Sequence, residues 1–480
     1  MALTDLNIAV KEMAVGYGHY LAIGTDGSLY SWGLNSNGQL GHGDTNNRSN
    51  PTKIGTDTDW TQVACGDYHS VALKSNGVVY GFGKSSDGQL GAYKGNLTGS
   101  TPNTRPPNPR TDEDFLEPEI VFRSAISRSS STLDGPANLI KAGANYSIVR
   151  FTDNTDIGDR YSLGTRYYGA ANWGYPGKTS TNITVENHRN YAIAHHVTRS
   201  VQGETPYNRN YDTPVLEKID LIATGRYTVA ATSPNKPGIL LLGRQPYAMT
   251  LYDGTARNPL NGTKTGSRIS DAFIPTFNWT RGTGPSSLQT ARGTGDPYVP
   301  DVQNYMNIES NLWHRVRTKT PSERNPIGEI DTRRYISIGI GDDFLLAIDD
   351  RNNLYGMTFA VGVDQIQPTS VGHFGVEPYS FQGRGYYVVN GLELLDSSKV
   401  WVNVSCGADH AIVSDADGAA YSIGDNRYFQ LGRGERGKNY PHRGNTFGTT
   451  LTRIGNLNAG QEESFKIHVC GPQASLIAKS

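Results

Sequence analysis

The chain has 480 residues, a mass of 52.2 kDa, a net charge of −1 and a pI near 6.8. A mean hydropathy of −0.50 with 10% aromatic residues argues against a disordered chain, because disorder goes with few aromatics and high net charge. There is no basic excess of the kind nucleic-acid binders carry, three Cys make no disulfide scaffold, and no apolar run approaches a membrane span.

The N-terminal "MALTDLNIAVKEM" has no apolar stretch behind a basic start, so no signal peptide is expected. From there the chain repeats itself. "MAVGYGHYLAIG" and "QVACGDYHSVALK" each read as a short apolar run ending in Gly, three residues, then a second apolar run. The same pattern returns in "IKAGANYSIVRF", "LIATGRYTVAAT", "SIGIGDDFLLAID", "NVSCGADHAIVSD" and "IHVCGPQASLIAK". Its marker glycines are Gly16, Gly66, Gly143, Gly225, Gly341, Gly407 and Gly471. A third strand is expected in "SLYSWG", "VVYGFG", "RYSLG", "ILLLG", "NLYGM" and "AAYSIG". The turns before it include Asp26-Gly27, Asn76-Gly77, Asn352-Asn353 and Asp417-Gly418, residue pairs suited to tight hairpins. "NPTKIG", "EPEIVF", "TPVLEKI" and "LTRIG" mark a fourth strand. A four-stranded sheet cannot bury both faces alone. Set radially, such sheets bury one another, which predicts a β-propeller with the marker glycines at its crowded centre.

Gly-Gln-Leu-Gly at 38–41 and 88–91, and Phe-Gln-Leu-Gly at 429–432, complete the pattern. With the pairs Gly16/His19, Gly66/His69 and Gly407/His410, and with Trp32-Gly33 and Phe82-Gly83, the chain resembles the RCC1 (regulator of chromosome condensation) repeat family. The resemblance is strongest in the first, second and sixth units. It implies an all-β, seven-bladed propeller as one domain over 1–480, closed by pairing "TDLNIAV" with the last unit. Marker spacings of 50, 77, 82, 116, 66 and 64 residues leave a surplus, assigned to insertions at about 92–117, 170–212 and 245–333.

Candidate chemistry is sparse. Cys65, Cys406 and Cys470 each precede a marker glycine, which suits core thiols. His19, His69 and His410 fall one per unit, too far apart for a metal cage, and are expected to hydrogen-bond within their own blades. His195-His196 reads as surface loop, and Asn145 and Asn403 as core-strand residues. Neither cofactor nor metal is expected. The insertion residues Trp173, Trp279, Arg281, Tyr305 and Trp313 are the types that anchor interfaces.

The expectation is a non-enzymatic docking protein within a larger assembly of protein subunits, binding no nucleic acid and entering no membrane. RCC1-like repeats also occur in tailed-phage virions, whose loops are similar in composition, so a virion location is considered, with the cytoplasm otherwise. The family resemblance also implies a nucleotide-exchange or chromatin-associated regulator. A glycan- or receptor-binding module is the third reading.

Overall fold

Asx-Gly hairpins between apolar runs build antiparallel sheets in chain order. The computed structural model describes residues 8–85, 89–90, 114–121, 136–151, 165–169, 195–196, 219–225, 228–234, 236–244, 309–319, 327–341, 344–358, 392–426, 431–432, 447–454, 465–472 and 474–479, and no helix occurs among them. The first sheet is β1 (Val10–Val15), β2 (His19–Gly24), β3 (Leu29–Gly33) and β4 (Arg48–Lys53). The second is β5 (Trp60–Cys65), β6 (His69–Lys74), β7 (Val79–Gly83) and β8 (Phe115–Ile120). The third is β9 (Ala137–Gly143), β10 (Tyr146–Phe151), β11 (Thr165–Gly169) and β12 (His195–His196). The fourth is β13 (Ile222–Thr224), β14 (Thr228–Ser233), β15 (Lys236–Arg244) and β16 (Glu309–Arg315), followed by the short pair β17 (Arg317–Lys319) and β18 (Ile327–Ile330). The fifth is β19 (Tyr335–Ile340), β20 (Phe344–Asp349), β21 (Leu354–Thr358) and β22 (Glu393–Asp396). The sixth is β23 (Trp401–Cys406), β24 (His410–Asp415), β25 (Ala420–Asp425) and β26 (Phe447–Arg453), and β27 (Phe465–Cys470) with β28 (Ser475–Lys479) forms a last pair.

The four hairpins between second and third strands for which the sequence named a turn bend at those residues. Gly27, Gly77 and Gly418 have φ of 80°, 82° and 80°, and Asn352 reaches 65°. Three of these turns also reach the next sheet. Trp60 N donates to Gly27 O at 3.3 Å, Ala137 N to Gly77 O at 2.9 Å, and Trp401 N to Asn352 O at 3.1 Å.

Consecutive sheets share buried apolar clusters. Leu21, Val71 and Val149 join the first three sheets. Tyr146 and Ile148 meet Ile222 and Val229, and Ala230 and Leu241 meet Ile338 and Leu345. Phe344 and Leu346 meet Val404 and Ala411, and Ile412 meets Ile477. Leu476 of the last pair packs on Met13, Ala22 and Trp32 of the first sheet. The molecule is thus an all-β propeller.

The Gln-Leu-Gly turn is built from side-chain caps. Leu40 N donates to Asn35 Oδ1 at 2.9 Å and Ser31 Oγ to Leu40 O at 2.7 Å. The sixth sheet repeats both bonds, Leu431 N to Asn426 Oδ1 at 3.1 Å and Ser422 Oγ to Leu431 O at 2.9 Å. Gly41, at φ 72°, lies where a Cβ would sit 3.0 Å from the Phe82 ring of the second sheet, so the turn seats one sheet on the next.

Several expected boundaries differ. "RYSLG" lies outside the described residues, and the third strand of that sheet is β11, whose "YYG" supplies the same aromatic-Gly end. Of "TPVLEKI" only the buried Ile219 is described, and β12 takes the fourth-strand place. His195-His196 is therefore strand rather than loop, pairing with Tyr167 and Arg166. The stretch 245–333 contains β16, β17 and β18, and 92–117 overlaps the start of β8. Asn145 is a turn residue and Asn403 is exposed. "TDLNIAV" has only its last residues described, and Val10 begins β1.

Candidate functional site: the sheet-to-sheet latches and the propeller axis

The marker glycine exists to admit a ring. A Cβ on Gly16 would overlap His19 Cε1, and one on Gly66 would overlap His69 Cε1. The same holds for Gly143 with Tyr146, Gly341 with Phe344 and Gly407 with His410. The other neighbour is the next sheet's backbone. A Cβ on Gly66 would lie 2.6 Å from Gly143 O, and one on Gly143 2.6 Å from Gly225 O. Gly225 has Thr228 instead of a ring three residues on, and its nearest neighbour is Gly341 O at 3.1 Å. Gly471, followed by Ala474, abuts Val15 of the first sheet.

The three histidines bond between sheets and not within their own, which corrects the expectation. His19 Nε2 is 3.1 Å from Ser70 Oγ, His69 Nε2 3.0 Å from Ser147 Oγ, and His410 Nε2 2.8 Å from Ser475 Oγ. Each ring packs on its own marker glycine and directs Nε2 to a hydroxyl of the neighbouring sheet. Ser70 Oγ donates onward to Gln39 O at 2.8 Å, so it accepts from His19, which fixes the Nε2–H tautomer there. Tyr146 keeps the pattern by donating to Gly225 O at 2.9 Å. His468 forms the reverse link, its Nε2 3.0 Å from Ser414 Oγ. Burial holds all four imidazoles neutral, with pKa values lowered to about 4 for His19 and His468 and about 3 for His69 and His410.

A second set of links lies four residues before the marker glycine. Glu12 Oε1 accepts from Val63 N at 3.1 Å, Gln62 Oε1 from Ile140 N at 3.1 Å, and Ser337 Oγ from Val404 N at 3.1 Å. Each caps an amide on the neighbouring innermost strand, an edge that would otherwise be unpaired. One residue earlier, six of the innermost strands carry an extra bulged residue: Lys11, Thr61, Asn138, Ile336, Val402 and Lys466. Bulges re-aim side chains outward. Four of these residues are polar. Ile336 is 44% exposed and Val402 38%, with Val400 beside it at 55%. The two bulges lie on adjacent innermost strands, where Ser337 Oγ lies 3.2 Å from Asn403 Oδ1.

Cys65, Cys406 and Cys470 are half-buried free thiols that line one axial cavity of about 240 Å³. Burial pushes the Cys470 pKa up to about 11 and raises those of Cys65 and Cys406 well above the usual thiol range. A thiolate is the reactive form, so these thiols should be inert in the folded protein. Alkylation by iodoacetamide at pH 8 is expected to label none of the three within minutes, and all three in urea. Rapid native labelling, read by mass spectrometry, would contradict the burial.

Among the described residues no three metal-ligating side chains converge, and no helix is long and apolar enough to cross a membrane. Trp173, Trp279, Arg281 and Tyr305 lie outside the described residues, and Trp313 falls in β16. The links that the sequence did not reveal are the serines. Ser70, Ser147 and Ser475 each follow the ring position of their own repeat by one residue, and that register was the available signal.

The latched sheets define a β-propeller whose blades are joined through a Gly-x-x-ring unit. The chain carries repeats of the RCC1 type. One family model described as the regulator of chromosome condensation (RCC1) repeat matches residues 26–73, and a second of the same description matches 10–39, 60–89 and 401–430. The ultraviolet-B receptor UVR8 of Arabidopsis thaliana is 49% identical over 47 residues, a match spanning 10% of this chain and 11% of the receptor. Prp20p from Saccharomyces cerevisiae superposes with a TM-score of 0.57 at 16% identity, covering 97% of this chain and 81% of that one. Human WBSCR16 superposes at 0.56 and 14%, covering 99% and 88%. At these identities the structural likeness is one of fold.

Proposed function

We propose that the protein is a non-enzymatic scaffold, a closed seven-bladed propeller that docks other proteins. Closure is supported by Gly471 against Val15 and by Leu476 in the first sheet's cluster. The observation that carries docking is the outward bulge pair Ile336 and Val402 with Val400, apolar where the first three sheets present Lys11, Thr61 and Asn138. His19, His69, His410 and His468 are engaged in links between blades, and the three thiols are held protonated by burial, which argues against catalytic roles for them. Prp20p, of the same fold, is described by its binding to Gsp1p and histones, which lends weight to protein docking. Trp173, Trp279, Arg281, Tyr305 and Trp313 are proposed as a second contact set. The virion setting rests on loop composition alone, and the proposal stops at protein docking.

The test is gradient sedimentation of the tagged protein from its source, with mass-spectrometric identification of what travels with it. Wild type is expected to sediment well above 52.2 kDa. An Ile336→Glu/Val402→Glu variant should run as free protein, and Trp279→Ala reports on the second set. Wild type running alone would overturn docking. Nucleotide release from a Ran-type GTPase and a glycan array would then test the exchange-factor and glycan readings.

A further inference from the structure

The axial cavity is lined by the residues two before each marker glycine: Ala14, Ala64, Lys141, Ala223, Gly339, Ser405 and Val469. Six are small or apolar, and small side chains near the axis leave open space. Lys141 is the exception, a long cation among them. Among the described residues its ammonium has no hydrogen-bond partner and no ion pair within 4.0 Å. Glu12 acts on it only electrostatically, from beyond that distance, while burial disfavours its charged form. Lys141 is partly buried, and an ammonium partly withdrawn from water without a contacting anion is costly unless something supplies one.

The rest of the wall narrows the choice. Ser405 Oγ accepts from Cys470 N at 2.9 Å and its hydroxyl faces the Cys470 thiol, so Ser405 is tied to the wall. Val15, Val63, Ile222, Ile338, Ile340 and Val404 offer apolar surface. Asp67 also lines the cavity, and Glu12 lies near, so a multiply charged anion would meet repulsion. A single negative charge attached to an aliphatic body satisfies every part of this lining.

We propose that the axial cavity binds a short-chain aliphatic monocarboxylate, with Lys141 as its counter-charge. The carboxylate could belong to a free acid or to a side chain of a docked protein, and a free acid as probe separates the two. This inference does not depend on the docking reading.

The probe is sodium butyrate, observed by saturation-transfer NMR and by thermal shift against sodium chloride of equal ionic strength. Wild type should transfer saturation to the butyrate methyl and gain stability with butyrate beyond the chloride control. Lys141→Met, similar in length and uncharged, should weaken binding at least tenfold while folding normally. Lys141→Arg should retain part of it and guards against a folding defect in the Met variant. No transfer in wild type would overturn free-acid binding, as would undiminished binding in a folded Lys141→Met protein. A butyrate response equal to that of chloride would reduce the site to general ion screening and overturn the proposal.

Discussion

Acid should unfold this protein well before its carboxylates titrate. His19, His69, His410 and His468 are held neutral in the folded state, with pKa values of about 3 to 4. In the unfolded chain they return to about 6.5. Below that pH the unfolded state binds protons that the native state refuses, so stability is full above pH 6.5 and falls as pH drops toward the folded values. The slope is about 1.4 kcal/mol per pH unit for each ring, hence about 2 kcal/mol each at pH 5 and on the order of 8 kcal/mol for the four. A typical domain has about 5–15 kcal/mol in total. Urea titrations at pH 7, 6 and 5 should show the midpoint falling steeply, and His69→Gln should flatten the slope by about a quarter. A midpoint constant from pH 7 to 5 would mean that the rings are solvated.

The second large effect belongs to Gly66. Its backbone is not in the left-handed region, so alanine is acceptable there on conformational grounds. The obstacle is space, because a Cβ would occupy the position of the His69 ring and press on Gly143 O. Relief would require the ring to leave Ser147, combining overpacking with a broken buried hydrogen bond. Gly66→Ala should therefore cost about 3–5 kcal/mol. Gly225→Ala meets three backbone oxygens, the nearest at 3.1 Å, and no ring to displace, so it should cost clearly less. Gly66→Ala/His69→Ala should recover part of the loss, since the second change removes what the first collides with. Equal losses for Gly66→Ala and Gly225→Ala, measured by chemical denaturation, would refute the account.

The repeat was legible because its signals are local. Gly16 and His19 are three residues apart, and the Asp26-Gly27 turn lies between two strands it joins directly. A reader of the sequence sees both partners in one window. The latches were misread because their partners are not local. His19 meets Ser70, and His69 meets Ser147, across sheets whose mutual register no periodicity encodes. The third sheet shows another limit. "RYSLG" and "TRYYG" both end like a third strand, and only the pairing of Tyr146 with Gly169 decides between them. The outward placing of Ile336 and Val402 was equally hidden, because a bulge breaks the alternation from which inside and outside are read. Lys141 carried a signal that comparison of the repeats could have exposed, a lysine in register with alanines.

The hairpins between second and third strands and the connections between third and fourth strands differ in how the next sheet uses them. Gly27, Gly77 and Asn352 each lend a carbonyl to the following innermost strand. Lengthening one of those turns would unseat a neighbour. The third and fourth strands pair whether the chain between them runs from 34 to 47 or from 245 to 308. For an unconstrained connection, each doubling of length costs only about 0.6 kcal/mol. The junction after each third strand is therefore a port for growth, where evolution or an engineer can graft a new segment without renegotiating the ring.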